Sequence, residues 1–275
     1  MKKHLLLLFA ALLPLVASAE KVEIDGIWYN LVSKAKQAEV TSSGGTKYSG
    51  SITIPATVTY DGVAYSVTSI GERAFSNCRS LTAITLPESV TSIGEWAFYY
   101  CSSLTAITLP EGVTSIGDYA FYDCRSLTSI TIPEGVTSIG DYAFYDCRSL
   151  TTITLPESVT SIEFCAFEGC SSLTDVYCHA VTVPSTDIDA FYSSNIGQGT
   201  LHVPASAINS YKATAPWRSF GTIVCLTDEE TGVEQFTIDN AQMTIYDLHG
   251  RRVATPTKDG IYIVDGKKVM VKIGM

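Results

Sequence analysis

Five cysteines, Cys78, Cys101, Cys124, Cys147 and Cys170, recur every 23 residues, and a column of thiols could form disulfides or hold a metal. If the repeats stack as coils, equivalent Cβ atoms lie about 4.8 Å apart and point in parallel, whereas a disulfide needs about 3.8 Å and converging directions. Free, buried thiols that behave as small apolar groups are therefore expected. Cys165, Cys170, Cys178 and His179 are close in sequence but lack the C-x-x-C spacing of a zinc site. Beyond the N-terminal segment the only histidines are His179, His202 and His249. No column pairs a nucleophile with a base, and no glycine-rich loop could cradle a phosphate. The sequence thus assigns no catalytic residue, no metal ligand and no cofactor, and it does not read as an enzyme.

Three further columns could do chemistry on the surface. Glu88, Glu111, Glu134 and Glu157 each follow a proline directly, as a row of solvated carboxylates or as sites for bridging calcium. Thr85, Thr108, Thr131 and Thr154 place hydroxyl over hydroxyl on the outward side of a strand. Trp96 with Tyr99, Tyr119 with Tyr122, and Tyr142 with Tyr145 make an aromatic stripe, either a binding surface of the kind proteins and carbohydrates use or a shield over the backbone beneath it.

What must position these columns is the repeat. Phe75, Phe98, Phe121, Phe144 and Phe167 share the 23-residue step with the cysteines, as do Leu81, Leu104, Leu127, Leu150 and Leu173. One unit reads Leu-x-x-Ile-x-Leu-Pro-x-x-Val-x-x-Ile-Gly-x-x-Ala-Phe-x-x-Cys-x-x. In Ala106-Ile107-Thr108-Leu109 the alternation predicts a strand with Ile107 and Leu109 inward and Thr108 outward. Pro110 ends it, and Val113 and Ile116 point back into the coil. From Gly117 to Cys124 the spacing shifts towards 3.6, which predicts one helical turn with Ala120, Phe121 and Cys124 inward and Tyr119 and Tyr122 outward. A single unit cannot bury its own apolar face, so the units stack into a continuous core. The fold class is a β-rich solenoid, a right-handed coil of ~23-residue units with short helical turns.

Leu104-Thr105-Ala106-Ile107-Thr108-Leu109-Pro110, then Val113-Thr114-Ser115-Ile116-Gly117, then Ala120-Phe121-Tyr122-Asp123-Cys124, closely resembles the BspA-like leucine-rich repeat of bacterial surface proteins. The resemblance covers about residues 50 to 226. It includes a first coil at Tyr48 to Pro55 and a closing coil at Leu201 to Pro204, Tyr211-Lys212 and Pro216-Trp217. It implies adhesion or binding rather than catalysis. Glu163, which replaces the repeat glycine, and the longer gap from Pro156 to Pro184 predict an irregular last coil near Cys165.

The ends add an address and two small modules. Lys2 and Lys3, the apolar run Leu5 to Val16 and Ala17-Ser18-Ala19 have the form of a cleaved secretion signal, residues 1–19, too short and too interrupted by Pro14 to span a membrane. Residues 20–49 alternate around Asp25-Gly26, which predicts a β cap over the open end of the solenoid at 50–226. Residues 227–275 read as a linker, Thr227 to Gly232, and strands turning at Gly250 and Asp265-Gly266. Tyr246 to Arg252, Gly260-Ile261-Tyr262, and Lys267, Lys268 and Lys272 are similar to the C-terminal sorting domain of proteins exported by the type IX (Por) secretion system. That similarity implies contact with the secretion machinery.

The 275 residues carry a net charge of −10, which repels nucleic acid. Loss of the leader leaves 16 basic against 28 acidic side chains, or −12. Charged residues are only 17%, against about a quarter in typical soluble domains, because Thr, Ser and Tyr fill outward repeat positions. The sequence is expected to encode an exported, non-catalytic protein at the cell surface, the outer membrane or outside the cell, with no membrane span after signal cleavage. Its expected partner is a host or microbial surface protein or glycan. A self-associating envelope or matrix component and a glycan-binding accessory module are the alternatives.

Overall fold

The computed structural model describes residues 20–45 and 47–227, together with the strands Glu234–Phe236, Ile245–Tyr246, Arg252–Val253, Gly260–Val264 and Lys267–Val271. The expected leader at 1–19, the linker after Thr227 and the turns at Gly250 and Asp265-Gly266 lie outside the described residues.

Each repeat forms one coil with three sides. Its leucine-rich segment is a strand at Ser80–Thr85, Ala106–Thr108, Ser129–Thr131, Thr152–Leu155 and Asp175–Cys178. These strands lie parallel and in repeat register: Ile84 opposes Ile107, Ile130 opposes Ile153, and Ile153 opposes Val176. Ile107 and Leu109 are buried while Thr108 is exposed, as the alternation requires. The second side is a ladder of two-residue strands, Ser92–Ile93, Ser115–Ile116, Ser138–Ile139 and Ser161–Ile162, again parallel and in register.

The third side corrects the expected helical turn. Ala97, Tyr99 and Cys101 donate backbone N–H groups three residues back, to Gly94, Trp96 and Phe98, while the intervening Trp96, Phe98 and Tyr100 donate to Asp118, Ala120 and Tyr122 of the next coil. Alternate amides therefore close turns within the coil and bridge to its neighbour, so the six donors from Trp96 to Cys101 are satisfied without a helix. The arrangement needs two left-handed residues per coil: Trp96 and Tyr100, Tyr119 and Asp123, and Tyr142 and Asp146 all have φ between +52 and +58. The inward and outward assignments survive, with Ala120, Phe121 and Cys124 buried and Tyr119 and Tyr122 half-buried.

Inside, Phe75, Phe98, Phe121, Phe144, Phe167 and Phe191 form a near-parallel stack with ring centroids 5.1–5.3 Å apart. Tyr48 tilts over its first ring, and Trp217 and Phe220 meet its last ring edge-on. The cysteines line the same core as free thiols. Cys101, Cys124, Cys147 and Cys170 each donate an S–H to a phenylalanine carbonyl of the previous coil, at 3.1–3.3 Å. Threonines hold the coils outside: Thr105, Thr128, Thr151 and Thr174 each donate a hydroxyl to the carbonyl of the equivalent threonine one coil back.

The close approach of coils sets the repeat glycine. A Cβ at Gly117 would stand 2.7 Å from the Glu95 backbone nitrogen, and one at Gly94 2.9 Å from that of Glu72. The coil around Cys165 nevertheless remains regular, contrary to expectation. Ser161–Ile162 pairs in step with Ser138–Ile139, Glu163 still donates to the Ile139 carbonyl, and Cys165 takes the same left-handed φ as Tyr142. The irregularity comes later: Thr152 opposes Asp175 but Ser161 opposes Ser185, so one extra residue is accommodated between Cys178 and Ser185.

At the N-terminal edge, Glu20–Ile24, Ile27–Val32 and Gln37–Thr41 run antiparallel, and the last pairs in parallel with Val63–Ile70 of the first coil. Asp25-Gly26 makes the expected two-residue turn, with φ of +50 and +80. Asp61-Gly62 does the same between Thr57–Tyr60 and Val63–Ile70, an unexpected hairpin inside the first coil. At the other end, the helix Ile208–Ala213 buries Tyr211, whose hydroxyl donates to the Ala180 carbonyl at 2.8 Å. The strands beyond residue 233 form a five-stranded sheet of their own, with Gly260–Val264 and Lys267–Val271 antiparallel. Among the described residues no helix is long and apolar enough to cross a membrane.

Two outcomes test this packing. Phe121→Ala opens a cavity in the middle of the ring stack and is expected to lower unfolding stability by about 3–5 kcal/mol in urea titrations. Burial raises the thiols, Cys170 from 9.0 to about 12, and Cys124 and Cys147 also rise. The unfolded chain releases these protons first, so stability is full below pH 9 and falls as the pH climbs towards 12; the urea midpoint is expected to drop measurably between pH 8 and pH 10.5.

Candidate binding surface

The six aromatic residues singled out by spacing form two files on the outer side of the turn ladder. Trp96 stacks on Tyr119 at 5.6 Å and Tyr119 on Tyr142 at 4.8 Å. Beside them Tyr99 packs on Tyr122 at 4.9 Å and Tyr122 on Tyr145 at 4.5 Å. The files touch each other through Tyr119 and Tyr122, and through Tyr142 and Tyr145. All six are half-buried; Tyr119 and Tyr122, in the middle of each file, have a ring on both sides, and the end residues have one ring neighbour within their file. Burial raises the phenols of Tyr99, Tyr119, Tyr122, Tyr142 and Tyr145 above their ordinary 10.0, so the surface presents neutral hydroxyls at physiological pH.

Residues outside the six-ring pattern extend both files. Phe164 meets Tyr142 edge-on and is 41% exposed. Tyr100 packs edge-on against Tyr99. At the other end the Arg73 guanidinium lies over Trp96, 4.1 Å from the ring centroid, and pairs with Glu72 at 2.6 Å. Arg73 stands one 23-residue step before Trp96, so register alone could have placed it. Asp118 and Asp141 also escaped notice: each carboxylate accepts a backbone N–H from the next coil, that of Asp141 at 2.9 Å and that of Phe164 at 3.0 Å.

The threonine column occupies a different side of the coil. Thr85 lies opposite Thr108 and Thr131 opposite Thr154 on the outer face of the long strands, the first three exposed and Thr154 half-buried. The row continues through Tyr177 and His202, which stack at 4.2 Å. His202 Nε2 lies 3.2 Å from the Asp175 carboxylate. Unlike the neighbouring threonines that bridge coils, these four hydroxyls form no hydrogen bond to the chain among the described residues, so they face solvent with full bonding capacity. The two columns are therefore separate surfaces.

Glu88, Glu111, Glu134 and Glu157 are exposed. Among the described residues no group of three His, Cys, Asp or Glu side chains converges as a metal site would require. Asp123 is buried at 3% exposure and is neutralised by Arg125 Nε at 2.6 Å, a structural pair within one turn. The surface presents rings, hydroxyls and carboxylates in rows along the solenoid.

A comparison with curated protein sequences finds no match. Among solved structures, the leucine-rich repeat protein of T. pallidum is 26% identical, with a TM-score of 0.52, covering 75% of this chain and 83% of its own. A leucine-rich repeat protein from Bacteroides ovatus is 28% identical with a TM-score of 0.48, covering 80% of this chain and 59% of its own. A leucine rich cell surface protein from Faecalibacterium prausnitzii is 28% identical with a TM-score of 0.49, covering 88% and 62%. The model of the BspA type leucine rich repeat region matches in six copies over residues 51–174 and 97–212. That span exceeds half of the 275 residues and follows the coils described above, and the chain belongs to the BspA-type leucine-rich repeat family.

Proposed function

We propose that this chain is an exported, non-catalytic surface protein that binds a host or microbial surface protein or glycan through the aromatic side of its solenoid. The observation that carries this reading is the pair of ring files, Trp96-Tyr119-Tyr142 and Tyr99-Tyr122-Tyr145, stacked and half-exposed across three successive coils. Stacking fixes the rings before a partner arrives, so little side-chain entropy remains to be lost on binding. Tyrosine and tryptophan also supply much contact area with a polar tip, which is why they recur at binding hot spots. The threonine face offers hydroxyls without comparable area and is the secondary surface.

Export is supported by the charged, apolar and small-residue order of residues 1–19. The similarity of the C-terminal strands to type IX sorting domains supports delivery to the surface through that machinery, and deletion of residues 232–275 is expected to abolish surface display in the native host, with the protein retained inside the cell. Unchanged display would refute the sorting role.

Replacing Tyr119, Tyr122, Tyr142 and Tyr145 together by Ser tests the binding surface. Binding of the purified full chain to host matrix proteins and to intact microbial cells is expected to weaken at least tenfold, with the circular dichroism spectrum preserved. Undiminished binding by the folded variant would refute the reading.

A further inference from the structure

The ring files stop abruptly at their N-terminal end. One repeat before Trp96 stands Arg73, one before Tyr99 stands Ser76, and one before Tyr100 stands Asn77. Tyr99 packs on Tyr122 of the next coil and meets Tyr100 of its own coil at right angles, but the preceding coil supplies a serine and no ring. The resulting step opens into a cleft of about 480 Å³ lined by Lys47, Arg73, Ser76, Asn77, Trp96 and Tyr99, among others, a volume within the ~300–1,000 Å³ of small-molecule sites.

The charge here runs against that of the whole chain. The net charge is −10, yet Lys47 and Arg73 both line this cleft. Lys21 Nζ lies 4.0 Å from the position a Cβ would take on Gly44, another lining residue. Arg79 sits over the Tyr100 ring, 5.6 Å from its centroid. Lys47 is anchored by donating to the Ser76 carbonyl at 3.0 Å, with donor capacity to spare. Glu72 takes one edge of the Arg73 guanidinium and leaves its other N–H groups available. A ring wall, two cations, a hydroxyl and a side-chain amide thus converge on one opening.

We infer that this cleft binds an acidic saccharide, a pyranose carrying a carboxylate as in uronic or sialic acids. The apolar face of the sugar ring packs on Tyr99 and the edge of Trp96, the carboxylate meets Lys47 and Arg73, and the ring hydroxyls meet Ser76 and Asn77. Neutral sugars lose the ion pairs, and simple anions lose the stacking. The inference gives a ligand class to one end of the surface proposed above and rests on that surface being a recognition surface.

The test is direct titration of the full chain with sialyllactose, digalacturonate, lactose and sulfated lactose, followed by calorimetry and saturation-transfer NMR. The carboxylated sugars are expected to bind at least tenfold more tightly than lactose and more tightly than sulfated lactose. The double variant K47Q/R73Q is expected to lose at least tenfold for the carboxylated sugars, while R148Q, a distant cation of equal charge, leaves binding unchanged. Equal binding of carboxylated and neutral sugars, equal binding of sulfated lactose, or indifference to K47Q/R73Q in a folded variant would overturn the inference. Because sugars are titrated directly, a negative panel with intact cell binding removes the saccharide assignment alone. Loss of cell binding in the tyrosine variant is read independently of either.

Discussion

The distance between adjacent coils governs this molecule. Parallel strands on two sides and alternate amides on the third all bond to the neighbouring coil, so each coil is held at one strand spacing, about 4.8 Å. At that distance a glycine is imposed where backbone crosses backbone, as at Gly94 and Gly117. The same distance brings equivalent rings into contact, which is why the phenylalanines form one continuous stack instead of separate clusters. It also lets a thiol or hydroxyl reach a carbonyl of the coil before it. Buried Cys and exposed Thr are thus alike in role, each tying one coil to the last.

The aromatic surface is a by-product of this spacing. The turn ladder forces Trp96, Tyr119 and Tyr142 into left-handed backbone conformations, which cost a non-glycine residue roughly 1–2 kcal/mol. Inter-coil hydrogen bonds and ring stacking over several coils offset that cost. The rings are consequently rigid, aligned along the solenoid and half-exposed, whereas isolated surface tyrosines would sample several rotamers. Where the array ends, at Arg73 and Ser76, the surface changes from flat to concave and from neutral to basic. Repetition makes the array; the break in repetition makes the cleft.

The stack must also be closed at both ends. Tyr48 tilts across Phe75, while Trp217 and Phe220 turn their planes against Phe191. Both closures use a ring of different orientation, which covers the last face without inviting another coil. Trp217 is anchored by its indole N–H to Thr186, and Tyr211 by its hydroxyl to Ala180. These polar ties fix the large residues at the C-terminal end of the core.

The 23-residue period by itself determined the solenoid, the inward Ile, Leu, Phe and Cys columns and the outward Thr and Tyr columns, because a stacked repeat has one register and side-chain period two allows one inward face. It also placed the six rings on one side. What only the tertiary structure decided was how the backbone beneath those rings is satisfied. Spacing near 3.6 from Gly117 to Cys124 predicted a helix, but the next coil offers carbonyls within reach of alternate amides, and those bonds outcompete helical ones. Left-handed Tyr and Trp carry no sequence mark of the kind that Gly or Asn would give. The thiol and hydroxyl bridges, the extra residue after Cys178 and the basic cleft beside Trp96 were likewise invisible, since each depends on what the neighbouring coil places within hydrogen-bond or stacking distance.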